Sequence, residues 1–299
     1  MNPSDTIKHL AASLGLDACG IASIRRDRRL RDALSKAGPV PFAPENTDAR
    51  LDAPSLLPGA ASAIVVLFPY KTENPERGNL ALYARPADYH RVNHRYLERL
   101  SRLAANDFPD AAFYPLVDTS PLVDRWLAWQ AGLGFYGKNH CLIHPRYGSF
   151  FTIGALLTTL ALPADTPLSS RCGDCRRCIA ACPGRALSET GMNPWHCKSY
   201  LTQKKDPLSP KEEEILCRTP CIFGCDECQN VCPWNEKAAP SPLPEIQERR
   251  VASLSMEMLS RLSNRAFEKN YRDYAFAWRG KKILLRNLEL LEKSRRPSE

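Results

Sequence analysis

The sequence predicts an α+β protein laid out in three stretches: an N-terminal α/β region over 1–165, a cysteine-rich region over 166–240 and a short helical tail over 241–299. Two observations predict it. Short apolar, β-branched runs alternate with longer amphipathic ones as far as a linker at 161–170 (ALPADTPLSS). Cysteine then dominates the composition until a proline-rich break at 238–244 (AAPSPLP). With 299 residues, 43% of them hydrophobic, the chain is long enough to build a real core beside the cysteine-rich insert.

The elements follow in order. Leu10, Leu14 and Leu16 predict a first helix. After the turn Leu56-Leu57-Pro58-Gly59, the run Ala63-Ile64-Val65-Val66-Leu67-Phe68 reads as a buried strand closed by Pro69. Residues 87–106 carry helical periodicity, and Phe113 to Val117 reads as a second strand ending at Asp118. Pro121 to Ala131 is predicted helical, with proline in the first turn, where its missing N–H costs nothing. A glycine-punctuated loop follows over Gly132 to Asn139, and Gly148 to Leu160 predicts a third strand. Residues 255–292 read as helical.

No window reaches the ~18 uninterrupted apolar residues of a membrane span. The opening MNPSDTIKHLAASLGLDACG reads as an amphipathic helix rather than a signal peptide. A cytoplasmic location follows as the expectation, and there clustered cysteines mean metal more often than disulfides. The net charge of +8 permits a nucleic-acid partner without demanding one.

Twelve cysteines are present, and eight form the strongest pattern in the chain. Cys172, Cys175, Cys178 and Cys182 read C-x2-C-x2-C-x3-C-P, closed by Pro183. Cys225, Cys228 and Cys232 read C-x2-C-x3-C-P, closed by Pro233, with Cys197 and Cys221 as possible completing ligands. Thiolates are soft ligands suited to iron–sulfur cubanes. In the bacterial ferredoxin spacing, the cysteine before proline reaches the neighbouring cluster. On that logic Cys172, Cys175, Cys178 and Cys232 hold one [4Fe-4S] cluster, and Cys182, Cys197, Cys225 and Cys228 hold a second. Zinc would take two separated C-x2-C pairs, which four cysteines within eleven residues match poorly. Cys217 and Cys221 are left as accessory thiols, and Cys19 and Cys141 read as small buried residues.

Other residues extend the pattern. Leu56-Leu57-Pro58-Gly59, Tyr83-Ala84 with Asp88-Tyr89-His90, Val117-Asp118-Thr119, Ala131-Gly132-Leu133-Gly134 with Gly137-Lys138-Asn139, Cys197 with Ser199-Tyr200-Leu201-Thr202, Gly224-Cys225-Asp226 through Cys232-Pro233-Trp234-Asn235, and Arg286-Asn287 recur as a set. Together with the cysteine runs, this set resembles the epoxyqueuosine reductases over roughly residues 50–290. The resemblance implies a cobalamin-binding α/β domain, a ferredoxin-like double-cluster domain and an epoxide deoxygenation on a tRNA wobble nucleoside. Opening an epoxide to an alkene needs two electrons, two protons and loss of oxygen as water. Clusters deliver single electrons, reduced cobalamin is strong enough to engage the epoxide, and the protein supplies orientation and a proton.

The resemblance makes Asp118 the proton donor, with a pKa raised by burial beside the corrin. Spacing alone allows a second role, an N-cap for the helix near Pro121. Gly134, Gly137 and Asn139 form a loop on which backbone can approach the corrin, or an ordinary helix-exit turn. Tyr83, Tyr89 and His90 lie near the cofactor by the same resemblance, with His90 not ligating cobalt. Ser199 and Asp226 either touch cofactor side chains or order the cysteine loops. The implied partners are tRNA and a low-potential electron donor such as ferredoxin or flavodoxin, with no membrane.

The chain departs from the family pattern in three places. Gly184-Arg185 replaces threonine-glycine after the first Cys-Pro, and SYLTQKKD stands where many members have SYLTIE. There Lys204 and Lys205 either contact phosphate or form a solvated turn. Family members also continue into HEAT-like repeats that help bind tRNA, of which residues 255–292 keep only the lead-in. The basic residues Arg279, Lys281, Lys282, Arg286, Lys293, Arg295 and Arg296 are either phosphate contacts or a charged solvated end. Two other readings stay open: a corrinoid, iron–sulfur reductase acting on a small molecule or another corrinoid protein, and a ferredoxin-like electron carrier.

Overall fold

The computed structural model describes residues 2–248 and 250–295, which form two compact units, each assembled from separate stretches of chain. The first comprises the described residues of 2–69, 90–137 and 141–173; the second comprises those of 70–89, 138–140 and 174–295.

The first unit is a four-stranded antiparallel sheet with helices. Its elements are α1 (Pro3–Ser13), β1 (Cys19–Ser23), α2 (Arg28–Ala37), β2 (Ser62–Pro69), α3 (Tyr89–Asp107), β3 (Phe113–Val117), α4 (Asp124–Gln130), β4 (Phe135–Tyr136), β5 (Leu142–Ile143) and β6 (Phe151–Thr158). The strand order is β1-β2-β6-β3, and β4 and β5 form a separate two-residue ladder. All eight residues of β2 are buried, so it reads in sequence as one unbroken apolar run. It pairs with β6 from Ser62 opposite Thr158 to Pro69 opposite Phe151, and β3 takes the other edge of β6. Helix α3 buries Val92, Tyr96, Leu97, Leu100 and Ala104 along one face, at helical spacing. Its Leu97 comes so close to the sheet that a methyl at Gly154 would lie 2.9 Å from it and 2.9 Å from Phe68.

Two expectations need correction here, and one strand goes beyond them. Helix α1 ends at Ser13 and buries Ser4, Ile7 and Ala11; Leu16 reaches the core from beyond a turn at Gly15, where φ is +80°. Strand β1 carries no sequence signal of its own: Cys-Gly-Ile-Ala-Ser is too short and mixed to stand out, and pairing with β2 makes it a strand. Helix α4 starts at Asp124, three residues later than predicted.

The second unit holds the cysteine-rich region. Its elements are α5 (Arg177–Ala181), α6 (Lys198–Leu201), α7 (Pro210–Cys217), α8 (Glu227–Asn230), α9 (Pro233–Glu236), α10 (Pro244–Gln247), α11 (Met256–Ser260), α12 (Asn264–Tyr271) and α13 (Lys281–Arg295). Helix α7 opens on a capping box, in which Ser209 and Glu212 each accept from the other's backbone N–H. The tail is part of this core: Leu254, Leu259, Phe267, Phe276, Leu284, Leu288 and Leu291 pack with Leu80, Ala84, Leu216, Ile222 and Phe223. Asn287, fully buried on α13, donates from Nδ2 to the carbonyls of Thr202 and Ile222, each at 2.8 Å.

Candidate functional site

Asp118 is the residue immediately after β3, and its φ of +30° is a conformation that non-glycine residues rarely adopt. The Thr119 N–H turns back onto the Val117 carbonyl, making the chain reverse at this point. Strain of this kind collects at functional positions, where surrounding structure holds it. The helix-cap role is overturned: α4 begins six residues further on, behind Val123, which makes no side-chain cap. The Asp118 side chain is 55% exposed, and His90 Nε2 lies 3.3 Å from its Oδ2. Burial within the protein therefore does not surround this carboxylate. Next to it in sequence, the hydroxyl of Ser120 is buried and makes no hydrogen bond.

A second acid, missed in the sequence, sits at the start of α4. Burial, and then the charge of Asp118, push the Asp124 carboxyl up to about 7 against the pull of Arg125. The only sequence signal was a second carboxylate six residues beyond Asp118.

The glycine loop is tight for internal reasons as well. A methyl on Gly134 would lie 2.7 Å from the Ile143 carbonyl and 2.9 Å from Leu142, across the β4–β5 ladder. The Gly137 N–H donates to the Cys141 carbonyl at 2.9 Å, closing the loop on itself. In the second unit, Asn139 is buried, and Lys138 pairs with Glu189 at 3.3 Å.

The second unit gathers Tyr83 and Tyr89 into an aromatic group, edge to face with ring centres 6.2 Å apart and with Tyr83 also 6.2 Å from Phe223. Gly224 lets this happen: its φ is +74°, and a methyl there would meet the Ala81 methyl at 2.5 Å and the Tyr83 ring at 2.9 Å. Asp226 is buried, accepting from the Leu82 N–H at 2.6 Å and from the Gln229 amide at 3.3 Å. Burial raises its carboxyl to about 6, while the Leu82 N–H and Arg85 oppose the shift. Its carboxylate thus fastens the second cysteine run to the segment carrying Tyr83. Ser199 is half-buried, and its carbonyl accepts from the Thr202 hydroxyl and the Gln203 amide, each at 2.9 Å.

No disulfide joins any of the twelve cysteines. Cys178 lies on α5 and Cys228 on α8, two short helices packed against each other. Cys182, Cys197 and Cys232 stand at helix boundaries with nearly one backbone conformation: φ/ψ of −67/113°, −67/122° and −76/123°. Pro183 and Pro233 impose this extended geometry on the residues before them. The Ala186 N–H donates to Cys182 Sγ at 3.2 Å, a contact that stabilises a thiolate. Among the described residues no three His, Cys, Asp or Glu side chains converge on a single ion. A cubane asks for something else, four thiolates spread over the corners of a cluster. Cys225 and Cys228 carry the C-x2-C half of the second run, and Cys172 and Cys175 open the first. The Cys221 thiol donates to the Phe223 and Gly224 carbonyls at 3.2 and 3.4 Å, and Cys217 donates to Leu290 O at 3.5 Å.

Two basic groups are engaged within the protein. Lys204 Nζ lies 2.7 Å from Glu212 Oε1, locking the capping box of α7. Arg286 donates to the Leu201, Lys204 and Asp206 carbonyls and to Asn287 Oδ1, a structural role. Arg296 lies outside the described residues.

Residues 50–119 match the family model described as epoxyqueuosine reductase QueG, DUF1730, and residues 171–235 match a 4Fe-4S double cluster binding domain. Epoxyqueuosine reductase of Leadbetterella byssophila is 36% identical over 252 residues, covering 81% of this chain and 83% of that protein. The chain belongs to the epoxyqueuosine reductase family. The Listeria monocytogenes epoxyqueuosine reductase is 37% identical over 246 residues, 77% of this chain, and the chain spans 62% of that relative's length. Among solved structures, epoxyqueuosine reductase from Streptococcus thermophilus superposes with a TM-score of 0.86 at 30% identity, covering 97% of this chain and 81% of that one. An epoxyqueuosine reductase with a tRNA-Tyr epoxyqueuosine-modified stem loop has the same TM-score at 28% identity, covering 97% of this chain and 81% of its own. The mixed helix-and-sheet fold and the double-cluster region are those of this family. No helix among the described residues is long and apolar enough to cross a membrane.

Proposed function

We propose that this protein reduces epoxyqueuosine to queuosine at the wobble position of tRNA, using cobalamin and two [4Fe-4S] clusters, in the cytoplasm. Family membership supports the reaction. Its placement on this chain is carried by one observation: Asp118, strained at φ +30°, turns out of β3 with an exposed carboxylate beside His90.

When bound, cobalamin supplies a strongly reducing centre for the epoxide, and the clusters supply single electrons from a low-potential donor such as ferredoxin or flavodoxin. Two electrons and two protons convert the epoxide to the alkene and water. In this reading Asp118 holds one of those protons at its carboxyl oxygen and delivers it to the departing oxygen, and His90 orients the carboxyl. The exposed carboxylate becomes enclosed once cofactor and substrate cover it, and that enclosure favours its protonated form. The buried Ser120 hydroxyl without a hydrogen bond fits a pocket that awaits a polar partner. Tyr83, Tyr89, Gly137 and Asn139 are assigned to cobalamin. Asp226 orders the cysteine loops, because both of its carboxylate oxygens already accept hydrogen bonds within the protein, and Ser199 is assigned to cobalamin.

Cys172, Cys175, Cys178 and Cys232 are assigned to one cluster, and Cys182, Cys197, Cys225 and Cys228 to the other. The shared extended geometry of Cys182 and Cys232, each followed by proline, supports one role for the two, each reaching away from its own run, and Cys197 has nearly the same backbone conformation. Eight cysteines outside any disulfide, with an N–H already donated to Cys182, fit cluster ligation.

The deciding experiment incubates anaerobically reconstituted, cobalamin-loaded protein with epoxyqueuosine tRNA and a low-potential reductant. Mass spectrometry of the digested tRNA should show queuosine. A fully loaded enzyme that converts none would overturn this reading in favour of a small-molecule substrate, and failure to bind any corrinoid would leave an electron carrier.

A further inference from the structure

Lys198 follows Cys197 directly and is the first residue of α6, yet only 1% of it is exposed. Its Nζ donates to the Leu216 carbonyl at 2.6 Å, the Thr219 carbonyl at 2.5 Å and the Thr219 hydroxyl at 2.6 Å. Three acceptors match the three N–H groups of an ammonium, and all three are uncharged. Burial disfavours its charged form, and Cys221, Cys225, Glu227 and Cys217, three of them thiols around the second cysteine run, favour it. Burying a cation among neutral acceptors is costly, and a neutral donor would satisfy the same carbonyls more cheaply. What the charge adds is its field, strong in a low-dielectric interior.

We propose that Lys198 is a fixed cation that raises the reduction potential of the second cluster, the one assigned above to Cys182, Cys197, Cys225 and Cys228, and the proposal rests on that assignment. A cluster held by four thiolates is an anion that gains one further negative charge on taking up an electron. A cation beside it stabilises the reduced form more than the oxidised form. In the first run, Arg176 and Arg177 are 72% and 61% exposed and paired with Glu189 and Glu236, so solvent and counter-charge weaken their fields. The two clusters are therefore unequal, and an electron entering the pair settles on the second.

The test is an EPR-monitored redox titration of the reconstituted full chain, comparing wild type with Lys198→Met, Lys198→Arg and Thr219→Val. Lys198→Met should lower one cluster midpoint by at least about tenfold in the reduction equilibrium, ~59 mV for a one-electron couple, and leave the other in place. Lys198→Arg should keep the wild-type midpoints. Thr219→Val, which removes one hydrogen bond and no charge, should lower thermal stability without moving either midpoint. Where the methionine variant does not assemble, Lys198→Gln keeps N–H donors without the charge and gives the same measurement. Unchanged midpoints in a neutral variant carrying both clusters, or an equal shift in Thr219→Val, would overturn the proposal. Wild-type protein that takes up fewer than two clusters by iron and sulfide analysis would overturn the cluster assignment and the proposal with it.

Discussion

His90 Nε2 stands 3.3 Å from Asp118 Oδ2, joining the start of α3 to the reversal that ends β3. The imidazole can hand a proton to the carboxylate or hold it in place. Either way, the strained backbone at Asp118 sets which direction the carboxyl faces.

Asp118→Asn keeps the shape and hydrogen-bonding reach of the side chain but removes the transferable proton. Turnover of epoxyqueuosine tRNA should fall by about 10²-fold or more, the usual weight of a general acid. Iron content and the corrinoid absorption spectrum should match wild type. Wild-type turnover would remove Asp118 from the chemistry.

Asp124 predicts a pH dependence. Its folded pKa of about 7 lies above the ordinary carboxylate value, so the folded state prefers the protonated form. The stability it contributes is complete at low pH and is lost as pH rises toward 7. Asp124→Asn abolishes that loss, so its melting temperature relative to wild type should rise from pH 5 to pH 8. The full effect is of order 2–4 kcal/mol. A constant difference across that range would show that Asp124 ionises freely.

Asn287 predicts a stability loss from the C-terminal helix. Asn287→Leu leaves the Thr202 and Ile222 carbonyls without their donor and removes one of the acceptors of Arg286. The cost should be about 2–4 kcal/mol in chemical denaturation. Half-loss of iron on dilution should come first from the second cysteine run.

Lys204 predicts an absence of effect on nucleic acid. Because its ammonium is committed to Glu212, Lys204→Met should leave the salt dependence of tRNA binding unchanged in slope. The lost ion pair should cost no more than about 1 kcal/mol. A slope reduced by one phosphate contact would place Lys204 on the RNA instead.

Much of this fold is legible in the sequence. β2 announces itself because a strand buried on both faces is an unbroken apolar run, and β3 because it stops at Asp118. The cysteine runs stand out because cluster ligation tolerates so few spacings. What stayed hidden depends on long-range partners. β1 becomes a strand only against β2, and Asp124 and Lys198 look like ordinary surface charges until the chain is folded over them. Residues 70–89 belong with the cysteine-rich unit because Leu82 and Gly224 meet partners about 140 residues away, which no local pattern encodes.

The clasp made by Asn287 also dictates a schedule. Thr202, Ile222 and Gly224 form one hydrogen-bonded knot in which the Gly224 N–H donates to the Thr202 hydroxyl and Asn287 ties both flanks. On the ribosome, the second cysteine run emerges well before residue 287 and waits open until α13 arrives. A cofactor loaded before α13 docks would meet a half-built cradle.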